Sequence, residues 1–312
     1  ADFPKITVTV PANGTDAGYL FIAPFQFTAC PKSWLLILDN QAEPIYYQRL
    51  PECENGLDWK KQPNGQLTYM ANDQRIFFAL DDTYTQVATY QAGNGYPTDI
   101  HELQILENGN ALLMIYDFEI IDNRGIAPNG RPTVTVEALV IQELDPAGRV
   151  LLQWHSLHYL PVTDSEDRYL NGREPIDYAH GNSIEEDIDG NLLISSRHLN
   201  EITKIDRHTG AIIWRLGGKG NQFTFINDVR RFSHQHDVRR LRNGNITIWD
   251  NGNFLSPQYS RALEYKLDEV NKTATLVREY RNAHDSFSVA MGSQQRLSNG
   301  NSLVGWGALS NP

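Results

Sequence analysis

The 312-residue chain contains only two cysteines and three methionines, and positive charge is the minority sign. It also lacks long apolar runs. The longest, such as Ala111 to Tyr116, fall far short of the ~20 residues a membrane-spanning helix needs, so no membrane span is expected. With 27 basic against 38 acidic side chains the net charge is −11, and no basic patch dominates, which argues against nucleic acid as a partner. A small anionic substrate would need a local cationic pocket. Cys30 and Cys53 are too few for a disulfide-rich scaffold; they form either one disulfide or two buried thiols. Helical periodicity is nearly absent. No signal segment stands at the N-terminus, and a chain opening Ala1-Asp2-Phe3-Pro4 rather than Met is expected to be a mature, secreted or periplasmic product. What is present is ordinary for a globular protein: 40% hydrophobic and 21% charged residues, enough for a real core.

A repeat organises the chain. Five segments carry a polar or alternating run, an Asn-Gly or Asp-Gly turn, then an apolar run, with Asn64, Asn108, Asp189, Asn243 and Asn299 before the glycine. Such dipeptides between β-rich runs signal hairpins; a type I′ turn, with φ > 0 at both central residues, is expected. Further β-rich pairs follow each hairpin, such as Ile202-Thr-Lys-Ile-Asp with Ala211-Ile-Ile-Trp-Arg-Leu, so each unit has about four antiparallel strands. The turn residues lie 44, 81, 54 and 56 positions apart. Four strands per period of 40 to 55 residues is the signature of a β-propeller. The expected fold is all-β, one propeller domain over residues 1–312, with six blades, or five as the alternative. Leu160 to Pro175, in the long interval, reads as a surface insertion.

In a propeller the first strand of each blade lines the central channel. His101 and His236 each lie 7 residues before their turns, and His180 lies 9 before Asp189. Three units thus place a histidine at the start of the innermost strand, a register that isolated core histidines would not keep. Arg197, on the second strand of the His180 unit, has Asn251 as its counterpart one unit on. Its planar fork of donors suits sulfate, phosphate or carboxylate. His234 and His236 have a metal-ligand spacing on one strand face, but no carboxylate completes a site, and no metal or other cofactor is expected. Asp187-Ile-Asp-Gly reads as a hairpin turn, Gly217-Gly-Lys-Gly220 as a turn without P-loop spacing, and Trp214 as blade packing.

Asp99-Ile-His101, Asp177-Tyr-Ala-His-Gly-Asn-Ser183, Ser195-Ser-Arg-His198, Thr209-Gly-Ala-Ile-Ile-Trp-Arg-Leu-Gly217, Gln235-His236, Asp250-Asn-Gly252 and Ser260-Arg261 occur in this order. Together they resemble the PAPS-independent aryl sulfotransferases of bacteria and fungi, over roughly residues 18 to 307. The resemblance implies an exported six-bladed propeller with its site at the central channel. It also implies ping-pong transfer of a sulfuryl group from an aryl sulfate donor to a phenolic acceptor. By motif, His236 corresponds to the nucleophile that becomes sulfohistidine. His101, His180 and Arg197 correspond to the groups that hold the sulfuryl oxygens and assist the leaving phenol, and Asn182, Asn251 and Arg261 to substrate-binding positions. The chain departs from the bacterial enzymes in lacking a separate N-terminal β-domain and a cysteine pair near the catalytic histidine. The chemistry is consistent on its own terms. Neutral imidazole is a competent nucleophile, fixed donors stabilise the transferring group, and a phenolate needs only one general acid. Two other readings fit a propeller: a quinoprotein-like oxidoreductase with a redox cofactor in the channel, and a non-catalytic binder of a sulfated or phenolic ligand.

Overall fold

The computed structural model describes residues 3–126, 130–171, 174–282 and 284–309. The chain is all-β, its antiparallel sheets arranged as a five-bladed propeller, the smaller of the two expected blade counts. Four sheets have the expected up-and-down order. They are Gly56–Lys61 to Gln86–Tyr90, Leu103–Ile105 to Val150–His155, Gly181–Glu186 to Ile212–Gly217, and His236–Arg240 to Thr273–Tyr280. Strands near the chain ends account for the rest: three (Leu20–Ile22, Trp34–Leu38, Pro44–Arg49) form one sheet, and Ser293–Arg296 with Ser302–Gly305 form a hairpin.

The Asn-Gly and Asp-Gly hairpins form where expected, but not with the expected turn. Asn64, Asn108, Asp189, Asn243 and Asn299 do not have positive φ, whereas the glycine after each does, at +81° to +89°. The N–H of each glycine donates to the carbonyl three residues back, as Gly109 does to Leu106 at 2.9 Å and Gly190 to Asp187 at 2.8 Å. This is a type I turn closed by a glycine in the left-handed region, the three-residue hairpin with a bulge. The side chain before the glycine has its own use. Asn108 Oδ1 accepts from the Asn110 N–H at 2.9 Å, and Asn243 and Asn299 do the same two residues on, an Asx turn that holds the chain reversal.

The contacts divide the chain into two compact units. The first comprises Ala1–Ile115, Gln142–Leu151 and Leu297–Asn301. Alternating strand residues there bury one cluster around Leu35, Trp59, Tyr69 and Leu80 and another around Met70, Phe77, Leu103 and Leu144. The Cys30–Cys53 disulfide lies in this unit. Asp16 accepts from Ser298 Oγ at 2.9 Å, and Asn301 Nδ2 donates to the Gly14 carbonyl at 2.9 Å, so the last Asn-Gly turn is tied to the N-terminal segment.

The second unit comprises Tyr116–Ile141, Leu152–Arg296 and Ser302–Pro312. Its core joins the Gly181–Gly217 and His236–Tyr280 sheets through Leu193, Trp214, Leu216, Phe232, Ile248 and Tyr265, all buried. Trp214 takes the expected packing role, with Nε1 donating to Glu269 at 2.8 Å. The segment read as a surface insertion has local structure of its own. It carries a 3₁₀ turn at Val162–Asp164 and a helical turn at Asp167–Leu170, and buries Leu160, Ser165 and Leu170. Lys219 clamps it, donating to the Ser165 carbonyl at 2.6 Å and Asp167 Oδ1 at 2.8 Å. Arg215 pairs with Asp164 at 2.8 Å. Two cations at the end of the Ile212–Gly217 strand and the turn after it therefore hold the segment in one position.

Candidate active site

Within the second unit the innermost strands Gly181–Glu186 and His236–Arg240 are neighbours. Asn182 Nδ2 donates to the Gln235 carbonyl at 2.7 Å, and the Val238 N–H to Ser183 Oγ at 3.0 Å. His180 immediately precedes one strand and His236 opens the other, as their spacing from the turns requires. The backbone is bent at both points: His180 has φ +51° and Asp237 φ +55°, and the strand register shifts beside each. Left-handed backbone at residues other than glycine is unfavourable and persists only where surrounding contacts fix it.

His236 is 7% exposed, and its Nδ1 lies 2.7 Å from Asn251 Oδ1. The amide orientation follows from its other contacts. Asn251 Nδ2 donates to the carbonyls of Ser288 at 2.8 Å and Met291 at 3.0 Å, oxygens that can only accept. The amide oxygen therefore faces His236, and it can only accept the Nδ1 proton. In the neutral ring the lone pair is then on Nε2.

His180 Nδ1 lies 2.5 Å from Asp177 Oδ2, a carboxylate suited to stabilising an imidazolium. Arg197 follows the strand Leu192–Ser196 rather than lying in it, opening a 3₁₀ turn at Arg197–Leu199. That turn is docked by the Arg197 N–H on the His180 carbonyl at 2.9 Å. Arg197 NH1 donates to His198 Nε2 at 2.9 Å and Tyr169 Oη at 3.4 Å, and NH2 to the Val289 carbonyl at 3.1 Å. Its Nε is buried with no acceptor among the described residues.

Three residues that the sequence did not single out as active complete this cluster. The His198 ring stacks on His180 at 4.4 Å and on Tyr169 at 3.5 Å. His198 Nδ1 donates to the Asp177 carbonyl at 2.7 Å, leaving Nε2 to accept from Arg197. Burial, with His180 adding to it, pushes the His198 pKa far down, so the ring is neutral. His234 is not on a strand face with His236. It lies before the strand with φ +56°, which breaks the alternation, and Nε2 turns to Tyr169 Oη at 2.6 Å. Arg197 donates to the same phenol oxygen, so Tyr169 links the guanidinium to His234. Burial first, and then the nearby Arg197, lowers the His234 pKa to about 2. Rings thus form a continuous column: Tyr116, His180, His198, Tyr169, His234 and Phe254, with neighbouring centroids 3.5 to 5.8 Å apart.

The other expected residues lie as follows. Asn182 bridges the two innermost strands. The Arg261 guanidinium is 2% exposed and held by Asp250 at 2.9 Å, Glu279 at 2.9 Å and Asp228 at 3.1 Å. That makes it an ion cluster inside the His236–Tyr280 sheet, not a side chain aimed at a ligand. His101 lies in the first unit and repeats the His180 arrangement, with Nδ1 2.6 Å from Asp99 Oδ1. Burial raises the Asp99 carboxyl, but its contacts with His101 outweigh this and hold it below the usual carboxylate range.

Two donor sets have a metal-like spacing. Asp177, His180 and His198 bring ligand atoms within 4.8 Å. The His198 nitrogens, however, are committed to a backbone carbonyl and to Arg197, so neither offers a free lone pair to a metal. Asp117, Glu119 and His155 are the second set. There His155 Nδ1 accepts the Leu157 N–H at 3.3 Å, so in the neutral ring the proton is on Nε2, the nitrogen facing Asp117. Neither set fits a bound cation as it stands.

The family pattern described as arylsulfotransferase (ASST) matches residues 57–311. Among solved structures, a protein of unknown function from Bacteroides caccae superposes with a TM-score of 0.53 at 15% identity, over 93% of this chain and 82% of its own. A gluconolactonase from Xanthomonas campestris gives 0.51 at 11% identity, over 88% and 76%. At these identities the likeness is one of fold alone. None of the curated proteins matches the sequence.

Proposed function

This chain belongs to the arylsulfotransferase family, and from that premise we propose that it moves a sulfuryl group from an aryl sulfate ester to a phenol through a sulfohistidine at His236, without PAPS. The observation that carries this reading is the Asn251 amide. Anchored on two carbonyls, it fixes the His236 tautomer with the lone pair on Nε2. In the first half-reaction Nε2 attacks sulfur. The N–S bond forms as the S–O ester bond breaks, and the aryl oxygen leaves with the bonding pair. His180, as an imidazolium supported by Asp177, supplies the proton to that oxygen. In the second half the acceptor phenol returns its proton to His180, its oxygen attacks sulfur, and the N–S bond breaks back to the lone pair.

Positive charge develops on the His236 ring as the bond forms, and Asn251 Oδ1 is placed to meet it at Nδ1–H. Arg197 Nε, buried and without a protein acceptor among the described residues, is the donor for a sulfuryl oxygen. A covalent intermediate divides one difficult transfer into two easier ones. The test is phenol release from a chromogenic aryl sulfate. Turnover that rises with an added phenolic acceptor, and a sulfated product, support the proposal. Binding of the ester with no release in any acceptor would overturn it.

A further inference from the structure

One end of the ring column carries a cation that this mechanism does not use. Arg168 is exposed on the Asp167–Leu170 turn, and its guanidinium carbon lies 5.3 Å from the centroids of both Tyr169 and Phe254. Among the described residues no carboxylate forms an ion pair with it, although the chain carries 38 acidic side chains. Its charge reaches the site, since it contributes to lowering the His234 pKa. The segment that presents it is fixed, not a free loop, because Lys219 and Arg215 hold it at Ser165, Asp167 and Asp164. Phe254 is 38% exposed and meets His234 edge to face at 4.3 Å. A flat apolar ring, a phenol and an unpaired guanidinium therefore stand together at the open end of the column.

Flat rings suit an aromatic molecule, by stacking or edge contacts. The guanidinium suits an anionic substituent on it. A protein of net charge −11 repels anionic phenols at a distance, so their capture requires such a local cation. We propose that Phe254, Tyr169 and Arg168 form the acceptor subsite, that its preferred acceptor is a phenol bearing a carboxylate, and that Arg168 is the specificity-determining residue. This rests on the transferase reading above and adds the class of acceptor.

The test compares para-hydroxyphenylacetate and para-hydroxyphenylpropanoate with their methyl esters, using one neutral-ring aryl sulfate as donor. The methylene spacers keep the phenol acidities matched, so the comparison isolates the carboxylate. The wild type is expected to favour at least one acid over its ester by about tenfold in kcat/KM, the scale of a charge-assisted hydrogen bond, and to lose that preference at high salt. Arg168→Gln should cut kcat/KM for the acid about tenfold and for the ester less than threefold. An equal fall for acid and ester would mean that Arg168 holds the sulfuryl group instead, and would overturn the proposal. So would esters preferred in the wild type. Failure of the transferase reading looks different: no sulfated product forms from either acceptor.

Discussion

Replacing Asn251 tests the part of the site on which the nucleophile depends. In Asn251→Leu the His236 ring loses the nearer acceptor at its Nδ1, 2.7 Å away, and keeps the His234 carbonyl at 3.2 Å. The Asn251 hydrogen bond gains strength as the ring becomes cationic in the transition state. A hydrogen bond to a charged group contributes about 1.5–3 kcal/mol, so kcat should fall by about 10- to 100-fold. Two carbonyls, Ser288 and Met291, also lose their buried donor. At about 1 kcal/mol each or more, the melting temperature should drop by several degrees. Asn251→Asp separates the two effects. It keeps an acceptor for Nδ1–H but sets a carboxylate against the two carbonyls, so it should retain more activity than leucine while being no more stable. The assay is steady-state turnover of a chromogenic aryl sulfate, alongside thermal unfolding followed by circular dichroism. A folded leucine variant with kcat within about twofold of wild type would refute the role given to the Asn251 hydrogen bond.

Two further outcomes follow from the same contacts. Asp58 is 13% exposed and lies beside Glu102, with Lys60 bridging them; burial raises its pKa to about 6 despite Lys60. A carboxyl raised on folding contributes stability that is fully present below about pH 4 and lost as pH rises through 6, up to about 3 kcal/mol. Urea unfolding should therefore show the stability of wild type relative to Asp58→Asn falling across that window, and parallel profiles would contradict it. Asparagine also suits the local φ of +48°. Tyr169→Phe removes the hydroxyl that is hydrogen-bonded to His234 and accepts from Arg197 while keeping the stack on His198. Turnover should fall about tenfold with circular dichroism unchanged, whereas unaltered turnover would make Tyr169 a packing residue only.

The blades and the positions of His180 and His236 were legible in the sequence because both are periodic. The Asn-Gly register announced the innermost strands, and the histidine spacing placed His180 and His236 at their starts. The turn type escaped because two signals coincide in Asn-Gly: a left-handed asparagine, and an asparagine whose side chain caps a turn that the glycine closes. Asn108 and Asn243 take the second. His234 was misread because period-two alternation presumes a continuous strand, and the backbone at φ +56° ends it just before His236. Tyr169 had no periodic signal. It reaches the site because Lys219 and Arg215, distant in sequence, hold the segment that carries it. Arg261 is an arginine in a matching motif whose ion pairs with Asp250, Asp228 and Glu279 a motif does not reveal.

The claim on which the account turns is a covalent bond from sulfur to His236. Wild-type protein incubated with an aryl sulfate and no acceptor, quenched and analysed by intact-mass and peptide mass spectrometry, should carry one added SO₃ group. That group should map to the peptide containing His236 and be lost when a phenol is added. His236→Ala should bind the ester and gain no such mass. Label on another residue, His180 being the next candidate, or full turnover in His236→Ala, would contradict the account.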